Sequence, residues 1–446
     1  MNITRDNVKK LFLRFLFPAF GSAIISSVYS LVDLAMVGQY QGSEGTAALA
    51  AVAPLWNVVY SIGLWGGIGG SVLYSEAKGR GCDKKERNRF FTTALIITLA
   101  LLLAFCGVFI GFKAQIFTFF GASESLLPLC EQYILPILFV LPTFGINQFL
   151  AAFLRNDDDP NLAMGAVLGG GVFNVVGDYV FVFVLNLGMF GAGLATAIGS
   201  VLTLLIMLIH FFKKKNTLGF ASTKGFFLRS WQILRSGFSS FFVDFAMGIV
   251  TVFFNQQAMR YMGADALSVY GVILNVNTFV QCCAYGVGQA AQPIVSANFG
   301  AKEGDRVKLT LRYSLVAVTV ISAIWGVFSL CFPNLYVRLF VSNAEDLFSI
   351  SEVAVRLYAI GFFILPFNVF STYYFQSILK SGTAFVISIL RGFVLSVSFI
   401  FLLPYLFGSN ALWLALPCAE LLTMILGVVM MIVYTKKLPC EGSKTN

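Results

Sequence analysis

The chain has 446 residues, of which 58% are hydrophobic and only 11% charged, with a mean hydropathy of +0.83. So little polar surface cannot clothe a soluble domain, and the composition describes a polytopic membrane protein. The formal charge of +9 is dispersed over many connections and forms no single basic face, so nucleic acid is not expected as a partner.

Taken in order, the apolar runs between charged or turn-rich breaks predict about twelve membrane helices. They span roughly 11–38, 46–77, 90–112, 126–154, 162–187 and 189–212, then 231–261, 267–299, 307–331, 353–379, 383–407 and 411–434. A helix needs about 20 residues to cross the hydrocarbon layer, and the shorter alternating pattern of barrel strands does not occur. With the N-terminus on the cytoplasmic side, all but four of the 30 Lys and Arg residues fall on that side, the exceptions being Lys113, Arg260, Arg338 and Arg356. This bias places both termini in the cytoplasm and the basic connections against anionic lipid. The opening residues are polar, and the apolar run after them contains Arg14 and outlasts a signal peptide, so no cleaved signal is expected.

The chain repeats itself. Ala48-Leu49 with Asn57 returns as Ala266-Leu267 with Asn275, and Ser75-Glu76-Ala77-Lys78-Gly79 as Ser296-Ala297-Asn298-Phe299-Gly300. Tyr133, Pro142 and Arg155 return as Tyr358, Pro366 and Lys380. A period near 220 holds six spans, an even number, so the halves are expected to be parallel repeats. The expected organisation is an N-lobe over 1–212, a cytoplasmic linker over 213–229 and a C-lobe over 230–446.

Two carboxylates interrupt apolar runs in the first half. Asp33 follows Ile24 to Val32, and Asp178 lies inside the stretch from Gly169 to Phe183, with Asn174 four residues before it on the same helical face. A carboxylate near the middle of a membrane helix costs roughly 2.5–3.5 kcal/mol on insertion scales, so it is normally paired, protonated or functional. These groups are expected to meet and hold an exchangeable cation, with neutral oxygens beside the acids. Pro18, 15 residues before Asp33, permits a kink in the first span. The glycine clusters at 66–70 and 169–171 read best as close helix packing. Asp157-Asp158-Asp159-Pro160 reads as a helix start, with Asp159 at the N-cap, in preference to the magnesium-chelating run of a membrane prenyltransferase. The sole histidine, His210, stands beside a lysine run and is not expected to relay protons. The eight cysteines have no metal or disulfide spacing and are expected to be inert.

The second half lacks the Asn and Asp pair, since 391–407 carries no carboxylate, but it holds Asp244 in the seventh span and Glu420 in the twelfth. Both are candidates for a second-lobe cation or substrate site. Aromatic residues, 15% of the chain, offer faces to flat organic cations.

The run from Leu154 to Pro160, the run from Asn174 to Phe183, and Leu31 to Gly38 after a proline-bearing span together resemble the multidrug and toxic compound extrusion (MATE) family, in its bacterial DinF-like and MepA-like branch. The resemblance covers essentially the whole chain. It implies a V-shaped pair of six-helix lobes that exports organic cations in exchange for H⁺ or Na⁺. It places cation binding on Asp33, Asn174, Asp178 and Thr196, a conformational role on Pro18, and Asp244 where NorM-like relatives carry a glutamate. It further implies an antiporter of the bacterial inner membrane, with no catalytic residue, no cofactor beyond the coupling ion, lipid and organic cations as partners, and a monomeric state. The alternative within the same superfamily is a flippase for lipid-linked oligosaccharide.

Overall fold

The computed structural model describes residues 3–120, 122–340 and 347–439, with the side chains at 26, 27, 30, 43, 244, 264, 339 and 340 outside that description. Among the described residues every regular element is helical: α1 Val8–Gly79, α2 Lys84–Phe119, α3 Leu127–Leu138, α4 Leu141–Asn156, α5 Pro160–Asp178, α6 Gly188–Leu208, α7 Phe226–Met262, α8 Ala264–Gly300, α9 Gly304–Cys331, α10 Pro333–Phe340, α11 Phe348–Phe362, α12 Leu365–Ser377, α13 Ser381–Ile389, α14 Leu395–Phe407 and α15 Ala415–Lys436. In a hydrocarbon solvent only such internally bonded backbone is stable, so apolar composition and helix go together.

Among the described residues ten helical stretches, some of them joining neighbouring elements, are long and apolar enough to cross a membrane, or eleven with the pair α3 and α4, which meet at 58°, counted as one bent span. The rod α1 contains two successive helices joined at Gly42, whose φ of 68° only glycine adopts freely. Its first part, before Gly42, covers the first of the runs expected, 11–38. Prolines open α3, α4, α5 and α12, where a missing N–H costs nothing.

The chain forms two compact units, Phe17–Phe241 and Asn2–Leu16 with Phe242–Asn446. The basic segment 213–229 therefore packs within the first unit, and the first turns of α1 within the second. In the first unit α6 is central, packed on α3, α4 and α5; in the second α8 packs on α9, α11 and α12. Neither lobe is driven together by water, so small residues at the crossings carry the packing. A methyl group on Gly170 would lie 2.6 Å from the Gly199 carbonyl, and one on Gly199 would lie 2.9 Å from the Gly170 carbonyl, so α5 and α6 touch backbone to backbone.

The internal register drifts for a physical reason. α4 has 16 residues and α12 only 13, so an offset of 224 at the start of these helices becomes 221 at their ends. Asp159, not Arg155, is thus the counterpart of Lys380: each stands at the N-cap, one residue after a left-handed residue, Asp158 (φ 64°) and Leu379 (φ 57°).

Candidate functional site

Inside the first unit the structure brings together Asp33 of α1, Tyr133 of α3, Asn174 and Asp178 of α5, and Thr196 of α6. The Tyr133 hydroxyl donates to Asp33 Oδ2 at 3.1 Å. Asn174 Nδ2 donates to Thr196 Oγ1 at 3.1 Å. The charge of Asp33 acts on Asp178, and Tyr133 feels both carboxylates and borders Thr196. Asn174 and Asp178 are buried, at 4% and 0% exposure.

Local sequence sets this geometry. The Gly170–Gly199 contact draws α6 onto α5 one turn from Asn174, whose Cβ sits 3.4 Å from a methyl placed on Gly199. Asp178 is the last residue of α5, and the helix then widens into a π-helical turn, Tyr179–Val184. Such turns re-aim side chains and recur at functional sites.

The acceptors outnumber the donors. Among the described residues Asp33 Oδ1, Asn174 Oδ1 and both carboxylate oxygens of Asp178 are buried without a hydrogen-bond partner. Four oxygens left this way in a low-dielectric interior are costly unless a positive group satisfies them. The residues present therefore fit a proton or a small hard cation, which prefers carboxylate and carbonyl oxygen. Pro18 is buried away from the acids along α1; the helix passes it with helical torsions, and its carbonyl accepts from Ser22 Oγ at 2.9 Å.

A second charged centre closes the end of the same unit. His210 is fully buried between two aspartates, Nε2 at 2.8 Å from Asp157 Oδ2 and Nδ1 at 3.0 Å from Asp159 Oδ2. Lys213 and Lys215 reach Asp159 at 2.9 and 2.7 Å. The Thr217 amide donates to Asp157 at 2.8 Å, its hydroxyl donates to the same carboxylate, and Lys78 pairs with Asp158 at 3.1 Å. Burial by itself would raise the Asp157 and Asp159 carboxyls; the bonds from His210, Thr217 and the lysines outweigh it and hold both below the usual carboxylate range. Asp159 occupies the expected N-cap position, but its side chain makes no capping bond because the histidine and lysines claim it. Nothing in local sequence spacing revealed this, since the partners are some fifty residues apart.

In the second unit Glu420 is buried and fully engaged. Arg391 Nε donates to Oε1 at 2.6 Å, and Asn368 Nδ2 donates to Oε2 at 2.6 Å and to the Glu420 carbonyl at 2.8 Å. Asp244 lies on α7, its side chain outside the described residues. Among the described residues no group of three or more His, Cys, Asp or Glu side chains is placed to hold a metal ion, and none of the seven described cysteines is in a disulfide.

A bundle of apolar helices with acids and neutral oxygens gathered inside it is the build of an integral membrane protein, and the family it matches makes it a transporter and not an enzyme. The MatE family profile matches the chain twice, over residues 18–180 and 237–402, and the chain belongs to that family, the multidrug and toxic compound extrusion family. It is 25% identical over 439 residues to the multidrug export protein MepA of Staphylococcus haemolyticus (strain JCSC1435), covering 96% of this chain and 94% of that protein. It is 24% identical over 344 residues to the probable multidrug resistance protein YoeA of Bacillus subtilis (strain 168), covering 75% and 74%. Its fold matches that of a multidrug resistance MATE family transporter of the MOP superfamily in an outward-facing conformation, with a TM-score of 0.89 over 98% of both chains at 21% identity.

Proposed function

We propose that the protein is a cation-coupled multidrug antiporter, exporting organic, mostly cationic and aromatic compounds in exchange for H⁺ or Na⁺ by alternating access. The observation that carries this reading is the set of four unpartnered buried oxygens on Asp33, Asn174 and Asp178. Two carboxylates within electrostatic reach and away from water disfavour joint ionisation, so a proton or a sodium ion is their natural partner. Asn174 and Thr196 supply neutral oxygens to that ion, and Tyr133 fixes the orientation of Asp33. Coupling then requires that ion and drug favour different conformers, each shifting the equilibrium by its differential affinity. The printed name of MepA, a multidrug export protein, supports the direction of transport, and that of YoeA, a probable multidrug resistance protein, supports drugs as substrates.

The same reading puts the protein in a bacterial cytoplasmic membrane, both termini inside, acting as a monomer, with a conformational role for Pro18. The experiment is ethidium export from proteoliposomes holding the wild-type protein, with proton and sodium gradients imposed separately. At least one gradient accelerates export; acceleration by neither overturns the proposal.

A further inference from the structure

Within the first unit the start of α7 lies beside the start of α2, and two arginines meet there without an acid between them. The segment leading into α7 runs along α2: the Ala221 amide donates to Thr92 Oγ1 at 3.0 Å, and a methyl group on Gly219 would sit 3.4 Å from Asn88 Nδ2. At Gly225, whose φ of 74° suits glycine, the chain turns into α7 and lays Arg229 over Phe90, with the guanidinium carbon 5.9 Å from the ring centroid. The neighbour of Phe90 is Arg89, whose charge acts on Arg229.

Among the described residues neither Arg89 nor Arg229 enters an ion pair, and Arg89 Nε and Arg229 Nη1 are buried without a hydrogen-bond partner. Both side chains are half-buried, so their outer edges stay open to the surface. Arg87 is turned elsewhere, over the Tyr74 ring at 5.9 Å. The one carboxylate whose charge reaches Arg229 is that of Glu86, an exposed residue. Two guanidiniums against one carboxylate leave a single positive charge in excess, which is the charge a phosphodiester neutralises. The planar guanidinium fork also matches the spacing of phosphate oxygens.

Beside the arginines the surface is apolar and uncovered. Phe227 is 87% exposed, Leu228 66% and Trp231 65%, all on the first turns of α7, and Phe220, packed on Phe91 with ring centroids 6.2 Å apart, is 80% exposed. In a membrane-spanning chain such a face lies against acyl chains, with tryptophan at the level of the head groups. A free anion would use the arginines and leave this face in water, whereas a lipid satisfies both. The ammonium of a zwitterionic head group would meet the same two arginines and be repelled.

We propose that Arg89 and Arg229 hold the phosphodiester of one anionic phospholipid, whose acyl chains lie along Phe227, Leu228 and Trp231. Basic connections attract anionic lipid in general; here a single molecule is fixed by a particular pair of residues. The site uses none of the groups around Asp33 and Asp178 and does not depend on the antiport reading.

The test is native mass spectrometry of the full-length protein in detergent, titrated with dioleoylphosphatidylglycerol. The comparators are dioleoylphosphatidylcholine, which has the same chains and no net charge, and glycerol phosphate, which has the charge and no chains. Wild type retains one phosphatidylglycerol more tightly than phosphatidylcholine, and glycerol phosphate far more weakly than either. Arg89→Gln and Arg229→Gln each weaken phosphatidylglycerol about tenfold, the loss of a hydrogen bond to a charged group, and the double substitution brings it level with phosphatidylcholine. Arg229→Lys keeps the charge and loses the fork, so it weakens binding by a smaller factor than Arg229→Gln and separates loss of the site from loss of the fold. Lys214→Gln, which removes the same charge from an exposed linker position, leaves binding unchanged. Equal retention of the two lipids by wild type, indifference to both arginine substitutions, an equal loss in Lys214→Gln, or retention of glycerol phosphate as tightly as the anionic lipid overturns the proposal.

Discussion

The charge that acts on Asp178 is another negative one, that of Asp33, and among the described residues neither oxygen of Asp178 has a hydrogen-bond partner. A fully buried carboxyl in this position burdens the fold. Asp178→Asn is therefore expected to raise the stability of the detergent-purified protein by about 1–3 kcal/mol while abolishing gradient-driven export. Thermal unfolding and dye export on the same preparation check both halves of the trade.

Tyr133 contributes one hydroxyl to the site and a buried ring to the core of the first unit. Tyr133→Phe keeps the ring and removes the bond to Asp33. Export at a fixed gradient should fall several-fold, in proportion to a bond of about 1 kcal/mol, with unfolding little changed; an unaltered export rate contradicts a role for Tyr133 in holding Asp33.

The cluster at Asp157, Asp159 and His210 makes a different kind of prediction. Carboxyls held below the ordinary value of 3.8 in the folded state contribute stability that is complete above that value and is lost as pH falls through their lower folded values. Unfolding temperature should drop on acidification below about pH 4, and Asp159→Asn should flatten that drop. His210→Ala leaves two aspartates facing each other in the interior and should cost roughly 3–5 kcal/mol, read as unfolding in detergent at neutral pH.

Arg391 and Glu420 form a buried pair at 2.6 Å, with side chains 8% and 10% exposed. Removing one partner strands the other: Arg391→Met alone should destabilise by roughly 3–5 kcal/mol, whereas Arg391→Met with Glu420→Gln should recover most of it. A double-mutant cycle measured by unfolding gives the coupling directly.

Much of this was legible in the sequence. Long uncharged runs specify membrane helices because no other backbone survives in hydrocarbon, and Asp33, Asn174 and Asp178 stood out because a polar group in such a run is expensive. Asp159 was placed at its N-cap by the proline after it. What stayed hidden depends on long-range pairing. Tyr133 marked the repeat but gave no sign of its bond to Asp33, since a tyrosine is unremarkable in a membrane helix. His210 looked like a membrane-edge residue because its aspartate partners are remote in the chain. Glu420 stands out in its apolar run, yet its neutralising partner Arg391 does not, because the two lie 29 residues apart on different elements and no local spacing pairs them.

The central claim is that Asp33 and Asp178 are the ion-coupling groups. Its most direct test is export of a fluorescent cation from proteoliposomes carrying wild type, Asp33→Asn or Asp178→Asn under one imposed ion gradient. Coupling through these acids predicts that wild type responds to the gradient and that each substitution reduces export to the rate seen with no gradient; export by either variant as fast as wild type contradicts it.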